Sequence, residues 1–284
     1  MKKLFPQLLV LPFFVLFLAF FVAPGLFALH KSLYAEPLIG GTRFVGLENY
    51  RRAIGDESLW TGLGNIAVVG VIYLTALLVF ATTVAILLDY RPSRFYRLVI
   101  FVPYAVPSAV AALMWGYLYG RQFGPFKPIV EFFGATNFDF FSPELIAGSM
   151  ANVVMWQFLG YNMLILYVAL SGISREIYEA AGVDGANQWQ ITWRIKLPLL
   201  RPALGLVIFF SFIGSLQLFN EPYIFKSIAP DIVGRDFTPN LYAYTVAFTF
   251  QELPYSAAIS FVLAGIAIIG AVFFLFFSTG RRSR

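Results

Sequence analysis

The sequence predicts an all-α integral membrane protein with six transmembrane helices. Three observations carry that expectation. The chain of 284 residues is 59% hydrophobic and only 12% charged, about half the ~25% charge typical of a soluble domain. Six segments approach or exceed the ~20 apolar residues that a helix needs to cross a bilayer. They are 8–29, 62–88, 98–119, 145–170, 202–220 and 256–278, and none contains Lys or Arg. None shows the apolar–polar alternation of membrane-barrel strands either. The whole chain, 1–284, reads as one transmembrane domain.

Taken in order, the first span follows Lys2 and Lys3. It is longer than the 7–15 residue apolar region of a signal peptide, so it reads as a retained helix. The next loop holds "FVGLENYRRAIGDESLW" (Phe44–Trp60), which suits a short interfacial helix, as a packed loop or as a docking surface. The second span ends at Asp89, near Arg91 and Arg94, and reads as a charged helix end. The third is uninterrupted apolar sequence. The fourth carries Asn152, Gln157, Tyr161 and Asn162. At ~100° per residue, Gln157 and Tyr161 share one face and Asn152 and Asn162 lie on another. The fifth ends in Gln217, Asn220 and Glu221, whose spacing places them on one helix face. In the sixth, "GIAIIGA" (Gly265–Ala271) offers small residues for helix packing.

Charge sets the orientation. Six spans put both termini on one side, together with "DYRPSRFYR" (Asp89–Arg97) and 171–201. That side holds twelve of the twenty Lys and Arg residues and four of the fifteen acids. By the positive-inside rule it is the cytoplasm. The net charge of +5 is therefore a matter of topology and does not signal nucleic acid.

Several chemistries are excluded. There is no cysteine and one histidine, His30, so thiol catalysis, a zinc site and a Ser-His-Asp triad find no residues. Ionisable groups that would mark an ion-coupled secondary carrier are absent from the spans. No GxxxxGK[ST] phosphate loop occurs, so ATP cannot be hydrolysed here.

The informative stretch is cytoplasmic: "EAAGVDGANQWQITWRIKLPLLRP" (Glu179–Pro202). Ser174 would cap a short helix over 175–181. Gly182 and Gly185 would loosen the backbone, and Asp184 would cap a second helix over 187–196. Pro198 and Pro202 would open the fifth span. The small residues Ala180, Ala181, Gly182, Gly185 and Ala186 would let another surface approach closely, with Glu179 and Asp184 supplying fixed charge. An ordinary amphipathic loop accounts for the pattern equally well.

This stretch resembles the cytoplasmic signature of permease subunits in binding-protein-dependent ABC importers. The matching residues are Glu179, Ala180, Ala181, Asp184, Gly185, Ala186, Ile195, Leu197 and Pro198. One position departs: Thr192 stands where the family usually has Phe, with Trp193 beside it. "FVGLENYRRAI", "FVPYAVPSAVAALMWGYLY" and "WQFLGYNMLILYVALSGISREIYEAAGVDGA" extend the resemblance to the carbohydrate-uptake branch, specifically the first permease of the maltose or glycerol-3-phosphate type. The resemblance implies a type I importer fold with a cytoplasmic coupling segment at 171–201. It also implies a second permease subunit, two copies of a cytoplasmic ATPase and an extracytoplasmic solute-binding protein. ATP and Mg would sit on the ATPase, and no cofactor on this chain. Glu179 would meet basic residues in an ATPase groove, and Gly182 would permit close docking.

A sugar pathway needs amide and carboxylate partners for hydroxyls and aromatic faces for apolar patches. Asn152, Gln157, Tyr161, Asn162, Gln217, Asn220 and Glu221 offer these groups, and helix–helix hydrogen bonding accounts for them too. Glycerol-3-phosphate or its diesters are the alternative cargo. Spans free of Arg and Lys favour a neutral sugar.

Overall fold

The computed structural model describes residues 5–37, 40–134 and 138–279. Lys2, Lys3 and the arginines of the tail "RRSR", on which part of the charge asymmetry rests, lie outside the described residues. The first helical rod is α1 (Phe5–Phe17), a π-turn (Leu18–Val22) and α2 (Ala23–Ser32). A two-stranded ribbon, β1 (Tyr34–Ala35) with β2 (Arg43–Phe44), follows, then α3 (Glu48–Ile54) and the 34-residue α4 (Glu57–Tyr90). α5 (Arg94–Phe101) and α6 (Ser108–Leu118) come next, then α7 (Phe126–Phe132) and α8 (Ile146–Ser171). α9 (Arg175–Val183), α10 (Gln188–Ile191) and α11 (Leu197–Leu216) precede α12 (Asn220–Ile228), α13 (Pro239–Phe248) and α14 (Leu253–Thr279).

Among the described residues, five helices are long and apolar enough to cross a membrane: Val10–Ser32, Glu57–Tyr90, Ile146–Ser171, Gln188–Leu216 and Leu253–Phe274. The third span differs from the straight helix expected. It is a pair, Arg94–Ala105 and Ser108–Leu118, bent by 97°. The cause is local. Pro103 and Pro107 remove two N–H donors, and Val106, preceding a proline, is driven to extended backbone (ψ 127°).

The fifth span also departs from expectation. Its helix begins at Gln188, fourteen residues before the expected start at 202, and runs unbroken to Leu216. Pro198 and Pro202 lie within this helical run. A π-turn over Thr192–Lys196 absorbs the defect, with Leu197 N–H bonding to the Thr192 carbonyl five residues back. The first rod solves the same problem identically: Ala23 N–H reaches Leu18 just before Pro24. Widening one turn reroutes the ladder next to a residue that cannot donate.

The core is built on α4 and α8. On α4 the buried positions Ile66, Val69, Tyr73, Leu77, Ala81, Ala85 and Leu88 form a single stripe with steps of three and four. Leu59 and Tyr255 anchor a smaller cluster where α13 and α14 meet the start of α4. α8 is the most enclosed span, 44% buried in its apolar window. It crosses the bent pair at Gly160, where a Cβ would overlap the Ile100 carbonyl and the Phe101 backbone. Gly160→Ala is expected to cost about 3 kcal/mol, the upper end for overpacking, read as a lowered melting midpoint in detergent. In α14, Gly270 faces the Phe212 ring at a distance a Cβ would violate, whereas Gly265 meets open space.

At the start of α4, Asp56 caps the helix through Ser58 N–H (3.0 Å) and accepts from both Tyr242 (2.6 Å) and Tyr255. Arg52 pairs with Glu252 and lies 3.7 Å from the Tyr255 ring centroid. Burial pushes the Asp56 carboxyl up, but the three hydrogen bonds and Arg52 together hold it below the usual carboxylate range. Burial, then Asp56, pushes the Tyr242 hydroxyl up to about 12. The segment 44–60 is thus the short helix α3 and the first turn of α4, tied to α13 and α14.

Candidate functional site

Two features stand out, one at the C-terminal end of α4 and one beside Tyr73 near its middle. The first is α9. Ser174 caps it through Glu176 N–H (3.3 Å). It closes in a Schellman turn: Gly185 N–H bonds to Gly182 (3.0 Å) and Ala186 N–H to Ala181 (2.9 Å). That turn needs left-handed backbone, and Gly185 supplies it at φ 79°. The expected role of Asp184 as cap of the second helix is corrected. Asp184 terminates α9, and Asn187 caps α10 in a reciprocal box with Gln190 (2.9 and 2.8 Å).

α9 turns only one side inward. Tyr178 and Ala181 are half-buried, while Glu179, Ala180, Gly182, Asp184 and Gly185 are exposed and Ala186 is half-buried. A Cβ added at Gly182 or Gly185 meets nothing within this chain. Leu197 and Pro198 sit inward of this surface, in the first turn of α11. Thr192, the departure from the signature, shares a hydrogen bond with the Tyr90 hydroxyl (2.7 Å). Trp193 lies against Trp189 with ring centroids 5.4 Å apart and planes tilted by 59°, and both are exposed.

Asp89 is the penultimate residue of α4, the charged helix end expected. It pairs with Lys196 at 2.7 Å, and Lys196 is only 2% exposed. No sequence pattern marked Lys196, since it lies in the signature's variable position before Leu197.

The second feature is a cavity of about 340 Å³ between α4, α8, α11 and the starts of α6 and α12. Five of the seven expected pathway residues line it: Tyr161, Asn162, Gln217, Asn220 and Glu221. The expectation that the last three share one helix face is corrected. α11 ends at Leu216 with Gln217 as its cap, and α12 starts anew at Asn220 after a non-helical Phe219 (φ −140°, ψ −49°). Asn220 Nδ2 donates to Ser108 Oγ at 2.6 Å, tying the first turns of α12 and α6 together. Glu221 is 4% exposed.

The remaining two residues are committed elsewhere. Asn152 donates to the Tyr119 hydroxyl (2.7 Å), and Gln157 Nε2 donates to the Val106 carbonyl (2.7 Å), at the break of the bent pair. The lining face of α8 is instead Val154, Phe158, Tyr161 and Asn162. Tyr73, Ser108 and Ser211 also line the cavity and escaped the sequence reading. Single hydroxyls in apolar spans carry no signal of their own. No Lys or Arg belongs to the lining.

Residues 78–282 match the family described as "Binding-protein-dependent transport system inner membrane component". The chain belongs to that family and is a multi-pass membrane permease subunit of an ABC importer. The sn-glycerol-3-phosphate transport system permease protein UgpA of Salmonella typhimurium is 35% identical over 277 residues, spanning 93% of this chain and 90% of its own. The Escherichia coli O157:H7 protein of the same name is 34% identical over 275 residues, with the same coverage. The fold matches a chain of a bacterial ABC transporter involved in import of the acidic polysaccharide alginate. That match has a TM-score of 0.85 at 18% identity and covers 100% of this chain and 97% of that one. A second structure of a bacterial alginate transporter, in complex with an alginate pentasaccharide-bound periplasmic protein, gives 0.83 at 17% identity, covering 96% and 93%.

Proposed function

We propose that this chain is one of two permeases enclosing the path of a neutral sugar, delivered by a solute-binding protein and driven by a pair of ATPase subunits docked on α9. The observation that carries the cargo reading is the cavity lining. It combines the amides of Asn162, Gln217 and Asn220, the carboxyl of Glu221 and the rings of Phe158, Tyr161 and Phe219, with no cation. Hydroxyls pair with amides and a carboxyl, and sugar faces pack on rings. A phosphate dianion would meet an acidic side chain without a compensating Lys or Arg, and burying such a charge unpaired is costly.

The docking reading rests on the exposed Glu179 and Ala180, with Gly182, also exposed, at the rim of the cavity that Tyr178 and Ala186 line. ATP and Mg belong to the ATPase partner, and this chain binds no cofactor. The charge asymmetry supports cytoplasmic N- and C-termini in a cell membrane. A second reading is transport of sn-glycerol-3-phosphate, which the names of the relatives at 34–35% identity favour, or of a diester of it.

Uptake by membrane vesicles separates the two. A panel of radiolabelled neutral oligosaccharides should include one that accumulates at least tenfold faster than sn-glycerol-3-phosphate. The opposite order establishes the phosphate-ester reading.

A further inference from the structure

None of α9 is fully buried, so its hold on the membrane helices depends on what its half-buried face touches. That face looks onto a cavity of about 490 Å³ walled by the end of α4, the end of α8, and the foot of the fifth span. At its margin lies the Lys196 ammonium. It is 2.7 Å from Asp89 Oδ2, 3.4 Å from the Tyr90 ring centroid and 5.3 Å from that of Tyr178. One charge therefore touches three elements: Asp89 and Tyr90 end α4, Lys196 closes the π-turn below α11, and Tyr178 is the ring of α9. The Tyr90 hydroxyl is fixed in turn by the Gln188 carbonyl (3.0 Å) and Thr192 (2.7 Å).

Packing alone does not require this arrangement. Apolar side chains of similar volume hold buried elements as well as an ion pair does, or better. What a buried charge adds is a single preferred geometry: the ammonium is held by a carboxylate on one side and by ring faces on the others. The π-turn, itself a consequence of Pro198, places Lys196 at that junction.

We infer that Lys196 is a positioning residue for transport. It makes α9, the end of α4 and the foot of the fifth span move as one body, so that a displacement of α9 reaches both spans. This rests on the reading of α9 as the ATPase dock.

The test uses the complex purified from its native membrane through a tag on this chain. This chain has no cysteine, so within it nitroxide labels go only to the introduced Ile177→Cys on α9 and Leu87→Cys on α4, both exposed positions, and the complex without them, labelled in parallel, gives the contribution of partner thiols to be subtracted. Pulsed electron paramagnetic resonance then gives the α9–α4 distance distribution. Lys196→Met/Asp89→Asn removes both charges and leaves neither unpaired; Lys196→Met alone is the harsher variant. The labelled parent should give one narrow distance. The double variant should broaden it at least twofold, with ATPase recovery and melting midpoint unchanged. An unchanged width overturns the proposal. So does broadening accompanied by a lower melting midpoint, which assigns the pair to folding. If the parent chain recovers no ATPase, it is the docking reading that fails, while the distances still report on the joint.

Discussion

Glu179→Ala is expected to abolish ATP-driven transport while leaving the chain folded. Glu179 is exposed and makes no salt bridge among the described residues, so its removal takes nothing from the fold. Truncating one member of a desolvated interfacial charge pair costs about 2–5 kcal/mol, roughly a 30-fold or greater loss of ATPase affinity. Gly182→Leu is the sharper companion. Replacing a helical glycine stabilises an isolated helix by roughly 0.5–1 kcal/mol, and a Cβ added at that position meets no atom of this chain within 4 Å. A variant as stable as the parent, or more so, that no longer retains its ATPase would place the obstruction on the partner's side. Recovery of the ATPase in a pull-down, beside a melting curve, reads both quantities. Normal retention in both variants removes α9 as the dock.

The second large effect concerns the cavity. Asn220→Ala deletes the amide that both lines the cavity and holds Ser108 (2.6 Å). Loss of one hydrogen bond to substrate, at about 1.4 kcal/mol, raises the transport KM about tenfold. Asn152→Ala and Gln157→Ala should act differently, since their amides serve Tyr119 and Val106. They lower the melting midpoint and leave KM unchanged. Initial-rate uptake across substrate concentrations separates the groups. An unchanged KM in Asn220→Ala, or a raised one in Asn152→Ala, reverses the assignment.

The fold was legible wherever apolar periodicity and local chemistry agree. The stripe from Ile66 to Leu88 was not legible, because the opposite face of α4, with Val68, Val71, Ile72, Val79, Phe80 and Leu87, is equally apolar and exposed. The Schellman turn was foreshadowed by Gly185, which alone can take the required φ cheaply. The start of the fifth span was not legible from hydropathy, because Arg194, Lys196 and Arg201 interrupt the apolar run. The helix survives there because Lys196 finds Asp89 and a π-turn accommodates Pro198. The bend of the third span was marked by Pro103 and Pro107 but hidden within an uninterrupted apolar segment. Asn187 with Gln190 is a readable capping pair, but Asp184, three residues earlier, is an equally good acceptor by residue type. Sorting the polar residues of α8 failed for a different reason. Helix angle says which residues share a face, but only the neighbouring elements decide which face meets a cavity and which meets a broken backbone.

The central claim is that this permease works only in an assembly powered from outside itself. The direct measurement is affinity purification of the chain from its native membrane in mild detergent, with mass spectrometry of what accompanies it. The account predicts an ABC ATPase and a second permease carrying its own Glu-Ala-Ala stretch. Recovery of this chain alone, folded and transporting without ATP, would contradict it.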